Sequence, residues 1–144
     1  MFIKQLSVFI ENREGRLEQV LTTLKQNNIN IVSLSLADTS DYGLLRLIVA
    51  NPEQAAQALK EDGFSAMLTD VVAIKLEHHV GQLQKLLDVV CKANINIEYM
   101  YALSTGTDAA SIVVKTSDAA KAVTLLEQGG AVIVNQADIE EMGK

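Results

Sequence analysis

The sequence predicts an α+β protein of two tandem βαββαβ units, each an antiparallel four-stranded sheet with both helices on one face. Three observations carry this reading. The run Asn28-Ile29-Asn30-Ile31 returns as Asn94-Ile95-Asn96-Ile97, at an offset of 94 − 28 = 66 residues. The apolar stripe Leu17, Val20, Leu21, Leu24 falls on Leu83, Leu86, Leu87, Val90 at the same offset, with the i, i+3, i+4, i+7 spacing of an amphipathic helix. Runs rich in Ile, Val, Leu and Tyr flank each stripe in the same order.

The elements follow in sequence. A first strand is expected in Phe2 to Glu11 and its counterpart in Val71 to Glu77, each leading to a helix that begins just after Gly15 or Gly81. Second strands follow in Asn30 to Ala37 and Asn96 to Ser104, then polar turns at Asp38 to Gly43 and Thr105 to Asp108. Beyond the turns the best register becomes 67, pairing Leu45, Leu47 and Val49 with Ile112, Val114 and Thr116, as a one-residue difference in hairpin length would produce. Second helices run from Pro52 to about Asp62 and from Ser117 to about Gln128. Pro52 suits a first-turn position, and Gly63 and Gly129 suit helix ends. Short last strands are expected near Ser65 to Thr69 and Ala131 to Asn135, followed by a C-terminal tail. The domains are therefore residues 1–70 and 71–144.

A unit of this kind has strand order 4-1-3-2, which leaves strand two at an edge with unpaired backbone groups. Joining the two strand-two edges within one chain would separate strand four of the first unit from strand one of the second by six strand spacings, about 29 Å. Phe64 to Glu77 must hold both of those strands, and the roughly four residues left over reach only about 14 Å. The edges are expected to meet across two copies of the chain, making a homodimer.

Composition excludes several classes of function. With 49% hydrophobic and 21% charged residues the chain can bury a core and is not disordered. A net charge of −6 with a pI near 4.8, and no cluster of Lys and Arg, argues against nucleic acid and anionic membranes as partners. Apolar runs such as Leu44 to Ala50, interrupted by Arg46, fall short of the roughly 20 residues a membrane helix needs. The single Cys91 and a start without the pattern of a leader lead to the expectation of a cytoplasmic protein.

The loop Glu11-Asn12-Arg13-Glu14-Gly15-Arg16-Leu17 resembles the Asn-Arg-Pro-Gly-x-Leu found between strand one and helix one of the ACT domain, and Asn30 stands in that family's Asn-Ile context at the start of strand two. The ACT domain is a ferredoxin-like module that binds amino acids in many regulated metabolic enzymes. The resemblance covers nearly the whole chain, twice. Glu14 replaces the family's proline, and the second loop, Glu77-His78-His79-Val80-Gly81-Gln82-Leu83, keeps only the glycine and the leucine, with Asn96 beyond it. The resemblance implies a non-catalytic, allosteric regulatory protein without cofactor. Its effector would be a free amino acid bound between modules, and a regulated metabolic enzyme is a possible partner. Carried over by position, the ligand-binding set is Asn12, Arg13, Gly15, Arg16 and Leu17 with Asn30 and Ile31 in the first half. In the second half it is His78, Gly81, Gln82 and Leu83 with Asn96 and Ile97.

Physical chemistry supports such a site independently. A helix start offers unpaired N–H groups and the positive end of the helix dipole, so the amides around Gly15 and Gly81 suit an α-carboxylate. Glycine there lets a ligand approach the backbone closely, or simply eases a tight strand-to-helix turn. An Asn side chain supplies both a donor and an acceptor for a zwitterion. Asn30 and Asn96 have a second reading, as turn residues that accept left-handed backbone between helix and strand. Arg13 and Arg16 read as ligand-assisting or as solvated surface, and Arg46 as pointing to the open face of its sheet. His78 and His79 point to opposite sides of a strand and have only Cys91 besides, too few for a metal site. Tyr99 and Tyr101 alternate with Met100 on a strand that suits a module interface. Two other functions compete with the sensor. One is a pure dimerisation or assembly module without ligand. The other is a small enzyme on this scaffold using His78, Glu77 or Arg13 as acid–base groups.

Overall fold

In the computed structural model, which describes residues 2–11, 13–38, 41–77, 79–103 and 110–143, the elements follow the predicted order. The first strands and helices are β1 (Ile3–Glu11), α1 (Arg16–Gln26), β2 (Ile31–Asp38), β3 (Tyr42–Val49), α2 (Pro52–Glu61) and β4 (Ser65–Leu76). After them come α3 (Gln82–Lys92), β5 (Ile97–Leu103), β6 (Ala110–Thr116), α4 (Ala119–Gln128), β7 (Val132–Val134) and α5 (Gln136–Met142). The predicted turn at 105–108 lies outside the described residues. The chain divides into two units, Lys4–Thr69 with Ile139–Lys144, and Met1–Ile3 with Asp70–Asp138.

In the first unit the strands lie in the order β2-β3-β1-β4. Val8 of β1 and Leu36 of β2 both stand opposite Leu45 of β3. Leu6, Val8, Leu45 and Leu47 point to one face, where they pack with Val20 and Leu24 of α1 and with Ala55, Ala56 and Leu59 of α2. Each large apolar side chain buried there stabilises the fold by about 1.5–3 kcal/mol. Arg46 lies opposite Ser7 and Ser35, with the opposite parity to Leu45 and Leu47, and so faces away from the helices as expected.

The second unit repeats the plan. Strands β6 and β7 flank β4, and β5 lies beyond β6. Ile74 and Ala102 both stand opposite Ile112. These three residues correspond to Val8, Leu36 and Leu45 by offsets of 66, 66 and 67, so the predicted slip falls between β5 and β6. Val72, Ile74, Ile112 and Val114 pack with Leu86 and Val90 of α3 and with Ala122, Val123 and Leu126 of α4.

The repeated helices α1 to α4 end alike. Ile29 N donates to Leu24 O while Asn28 N donates to Lys25 O, and the same pair of bonds recurs with Phe64 and Gly63, Ile95 and Asn94, and Ala131 and Gly130. Each is a Schellman motif. The left-handed position in the last is Gly130, at φ 89°, rather than Gly129, whose φ is −81°.

Two regions differ from expectation. The strands expected at 65–69 and 71–77 are one unbroken strand, β4: Ser65 to Leu76 contains no Gly or Pro, and the exposed Asp70 between the two expected strands is carried within the strand. No loop separates them. The expected tail begins as a helix, α5, whose first turn is held by reciprocal 2.9 Å bonds from Asn135 N to Asp138 Oδ2 and from Asp138 N to Asn135 Oδ1. Among the described residues no helix is long and apolar enough to cross a membrane.

Candidate ligand site

Both helix starts are built on a glycine that no L side chain replaces without strain. Gly15 precedes α1 at φ 81°, ψ −9°, and Gly81 precedes α3 at φ 85°, ψ −1°, both in the left-handed region. A Cβ at either position would meet nothing within 4 Å, so the requirement is the backbone angle of a tight strand-to-helix turn. The turns match bond for bond. Arg13 N and His79 N donate to Glu11 O and Glu77 O at 2.8 Å, while Gln19 N and Lys85 N donate to Gly15 O and Gly81 O at 3.0 Å.

Among the described residues no side chain caps the start of α1, α2 or α3, whereas Asp118 Oδ1 accepts from Lys121 N at the start of α4. First-turn amides have no intrahelical acceptor and carry the positive end of the dipole. Arg16 N and Gln82 N donate to Arg13 O and His79 O at 3.5 and 3.2 Å, so the next amides of each first turn are the ones that can take a carboxylate. Asn12 and His78, expected beside them, lie outside the described residues.

The neighbouring side chains divide by role. Arg13 Nε pairs with Glu11 Oε2 at 3.1 Å on an exposed surface, a contact of little energetic weight. Arg16 is half-buried: its Cζ lies 4.6 Å from the centre of the Phe64 ring, and its Nη1 donates to Gln19 Oε1 at 2.6 Å. The solvated-surface reading of Arg16 gives way to a packed cation–π brace. Gln82 and Ala131 hold the corresponding places in the second unit, without a cation or a ring. Leu17, Ile31, Leu83 and Ile97 are partly buried and pack against the core of their own unit.

The two readings of Asn30 and Asn96 separate. The left-handed turn residues are Asn28, at φ 56°, and Asn94, at φ 61°. Asn30 and Asn96 stand one residue before β2 and β5, with exposed side chains. Their carbonyls accept from Ala50 N and Ser117 N at 3.3 and 2.9 Å. Asn30 Nδ2 donates to Gly143 O at 2.9 Å.

Within one unit the two halves of the expected site are apart. Gly15 and Asn30 flank opposite ends of α1, whose 11 residues span about 16 Å. They line different hollows. One, of ≈ 490 Å³, holds Gly15, Gln19, Thr23, Asp62 and Phe64. The other, of ≈ 470 Å³, holds Lys25, Asn28, Asn30, Ile31 and Gly143. At the start of α3 a hollow of ≈ 630 Å³ is lined by His79, Gly81, Gln82, Leu83, Leu87 and Cys91. His79 Nε2 lies 3.2 Å from Glu77 Oε2, both exposed, and no group of three His, Cys, Asp or Glu that could hold a metal occurs among the described residues.

Sequence reading missed Thr23, Asp62 and Phe64. Thr23 Oγ1 donates to Asp62 Oδ2 and ties α1 to the end of α2. The available signal was Gly63, which places its neighbours at a helix end packed beside α1.

Two βαββαβ units with matching glycine-started helices define a pair of ferredoxin-like modules. The profile described as ACT domain pair matches residues 1–142, and the chain belongs to that family. Protein BT0572 from Bacteroides thetaiotaomicron is similar over 98% of this chain and 97% of its own, at 35% identity and TM-score 0.91. The regulatory subunit of aspartate kinase from Thermus thermophilus matches at 18% identity and TM-score 0.61, over 87% of this chain and 91% of its own. That from Thermus flavus matches at 19% and 0.60, over 88% and 92%. At those identities the likeness to the aspartate kinase subunits shows the fold. No curated protein matches the chain.

Proposed function

We propose that this protein is a non-catalytic regulatory sensor of a free amino acid, acting as a homodimer in which a module of one copy completes the site of a module of the other. The observation that carries the reading is the pair of uncapped helix starts at Gly15 and Gly81, alike in backbone angles and hydrogen bonds. An α-carboxylate matches their amides, and the side chain of Asn30 or Asn96 from a second module matches the ammonium and the remaining carboxylate oxygen. The distance between Gly15 and Asn30 along α1 supports assembly from two modules, since one module supplies only half of the contacts.

The edge strand β2 supports pairing between copies. Leu34 and Leu36 are 50% and 48% exposed there, on a strand that pairs only with β3 among the described residues. Amino-acid binding would favour the paired state over the separate one, which is how a module without chemistry regulates a partner. Regulatory subunits of aspartate kinase share the fold, and a metabolic enzyme is the kind of partner this sensor would control. The same exposed edge also favours a second reading, assembly without ligand. Calorimetric titration with the standard L-amino acids separates the two: saturable heat supports the sensor, and silence with a stable dimer supports assembly alone.

A further inference from the structure

The C-terminal segment ends on the same asparagine that the sensor reading assigns to the effector. Ile139 of α5 is fully buried and anchors the helix. At its far end Gly143 N donates to Ile139 O at 3.0 Å, and Gly143 O accepts from Asn30 Nδ2 at 2.9 Å. A Cβ on Gly143 would stand 2.6 Å from the Cβ of Ala50, closer than real Cβ contacts come. Gly143 is absent from the residues with positive φ, so glycine is required here for close approach, unlike Gly15. Asn30, Ala50 and Gly143 belong to one unit. Asn96, the counterpart of Asn30, makes no side-chain hydrogen bond among the described residues.

We propose that residues 139–143 form a displaceable plug on the first unit's effector position. The plug rests on the sensor reading given above. A buried anchor at Ile139 keeps the segment close, while the contact at Asn30 is one exposed bond to a neutral carbonyl. A ligand carboxylate is a charged acceptor for the same Nδ2 and makes the stronger bond. The free chain thus holds Asn30 in a competing contact, and apparent affinity at the first unit is lowered by the fraction of chains in which the plug is seated. Among the described residues the Asn96 position has no such competitor.

The test uses two full-length variants and one short truncation. Gly143→Ala forces the segment away from Ala50, and Ala50→Gly with Gly143→Ala restores the room. A chain ending at Met142 with its C-terminus amidated, so that no new carboxylate is introduced, removes the Gly143 carbonyl and keeps Ile139. An Asn96→Ala background in every case leaves the first unit's position to be read alone. Each is titrated calorimetrically with the standard L-amino acids, and hydrogen exchange is followed over residues 136–142. Gly143→Ala and the truncation are expected to bind about three- to tenfold more tightly than the parent, the paired variant to return to it, and ligand to speed exchange in the parent's helix. Unchanged or weaker binding in both Gly143→Ala and the truncation overturns the plug and leaves the sensor standing. Absence of binding in every protein, including the chain with Asn96 intact, overturns the plug and the sensor reading together.

Discussion

The Arg16 guanidinium lies 4.6 Å from the centre of the Phe64 ring, so the residue that opens α1 is fastened to the residue that follows α2. The brace steadies the turn that carries Gly15, and the second unit, with Gln82 and Ala131 in these places, has none. Phe64→Leu keeps apolar bulk and removes the ring face. It is expected to cost about 0.5–2 kcal/mol in urea unfolding, and the double-mutant cycle with Arg16→Gln to show coupling of about the same size. Additive single effects would mean that the stack contributes nothing beyond packing.

Gly15→Ala and Gly81→Ala test the helix starts. With nothing within 4 Å of an added Cβ, their cost is conformational, about 1–2 kcal/mol each from the left-handed backbone. Amino-acid affinity should fall as well, because a turn that relaxes to negative φ re-aims the amides. Equilibrium denaturation and calorimetry check the two effects separately, and neutral substitutions would show that the angle is not required.

Asn28 and Asn30, two residues apart, should respond to alanine in opposite ways. Asn28→Ala places alanine at a left-handed position and should lose about 1 kcal/mol of stability with ligand affinity retained, while Asn28→Gly should not lose any. Asn30→Ala should alter stability by less than about 1 kcal/mol and weaken amino-acid binding by about 1–3 kcal/mol. Equal effects of both alanine substitutions on affinity would remove the distinction between turn and site.

Leu36→Glu tests the proposed pairing of copies. Leu36 is half exposed, so the charge should cost the isolated fold little, yet a glutamate at a buried pairing edge carries a large desolvation penalty. Sedimentation at micromolar concentration should show a dimer for the parent chain and a monomer for the variant. A parent that is monomeric and still binds amino acid fully would place the site within one chain.

Legibility in the sequence followed locality. The repeat, the glycine-started helices and the one-residue register slip could be read because Asn28 to Ile31 and the stripe Leu17 to Leu24 have copies that fix the frame. Strand β4 reads as two in the sequence because both copies of the repeat are cut at the same boundary, at the turn-favouring Asp70, although Ser65 to Leu76 has no Gly or Pro to break it. Helix α5 has no copy in the repeat, and its one local mark is the pair Asn135 and Asp138. Of the candidate site, Gly15, Gly81, Asn30 and Asn96 were marked by their positions at element ends. The partners that hold them, Phe64 for Arg16 and Gly143 for Asn30, are distant in sequence and join only through the packing of α2 and the C-terminal segment.

Calorimetric titration of the full chain with each of the standard L-amino acids tests the central claim most directly. The account predicts saturable binding of one amino acid, or a few of related side chain, that is lost when the same compound is offered as its decarboxylated amine, since the helix-start amides hold the α-carboxylate. Absence of heat with every amino acid, or equal binding of the amine, would contradict it.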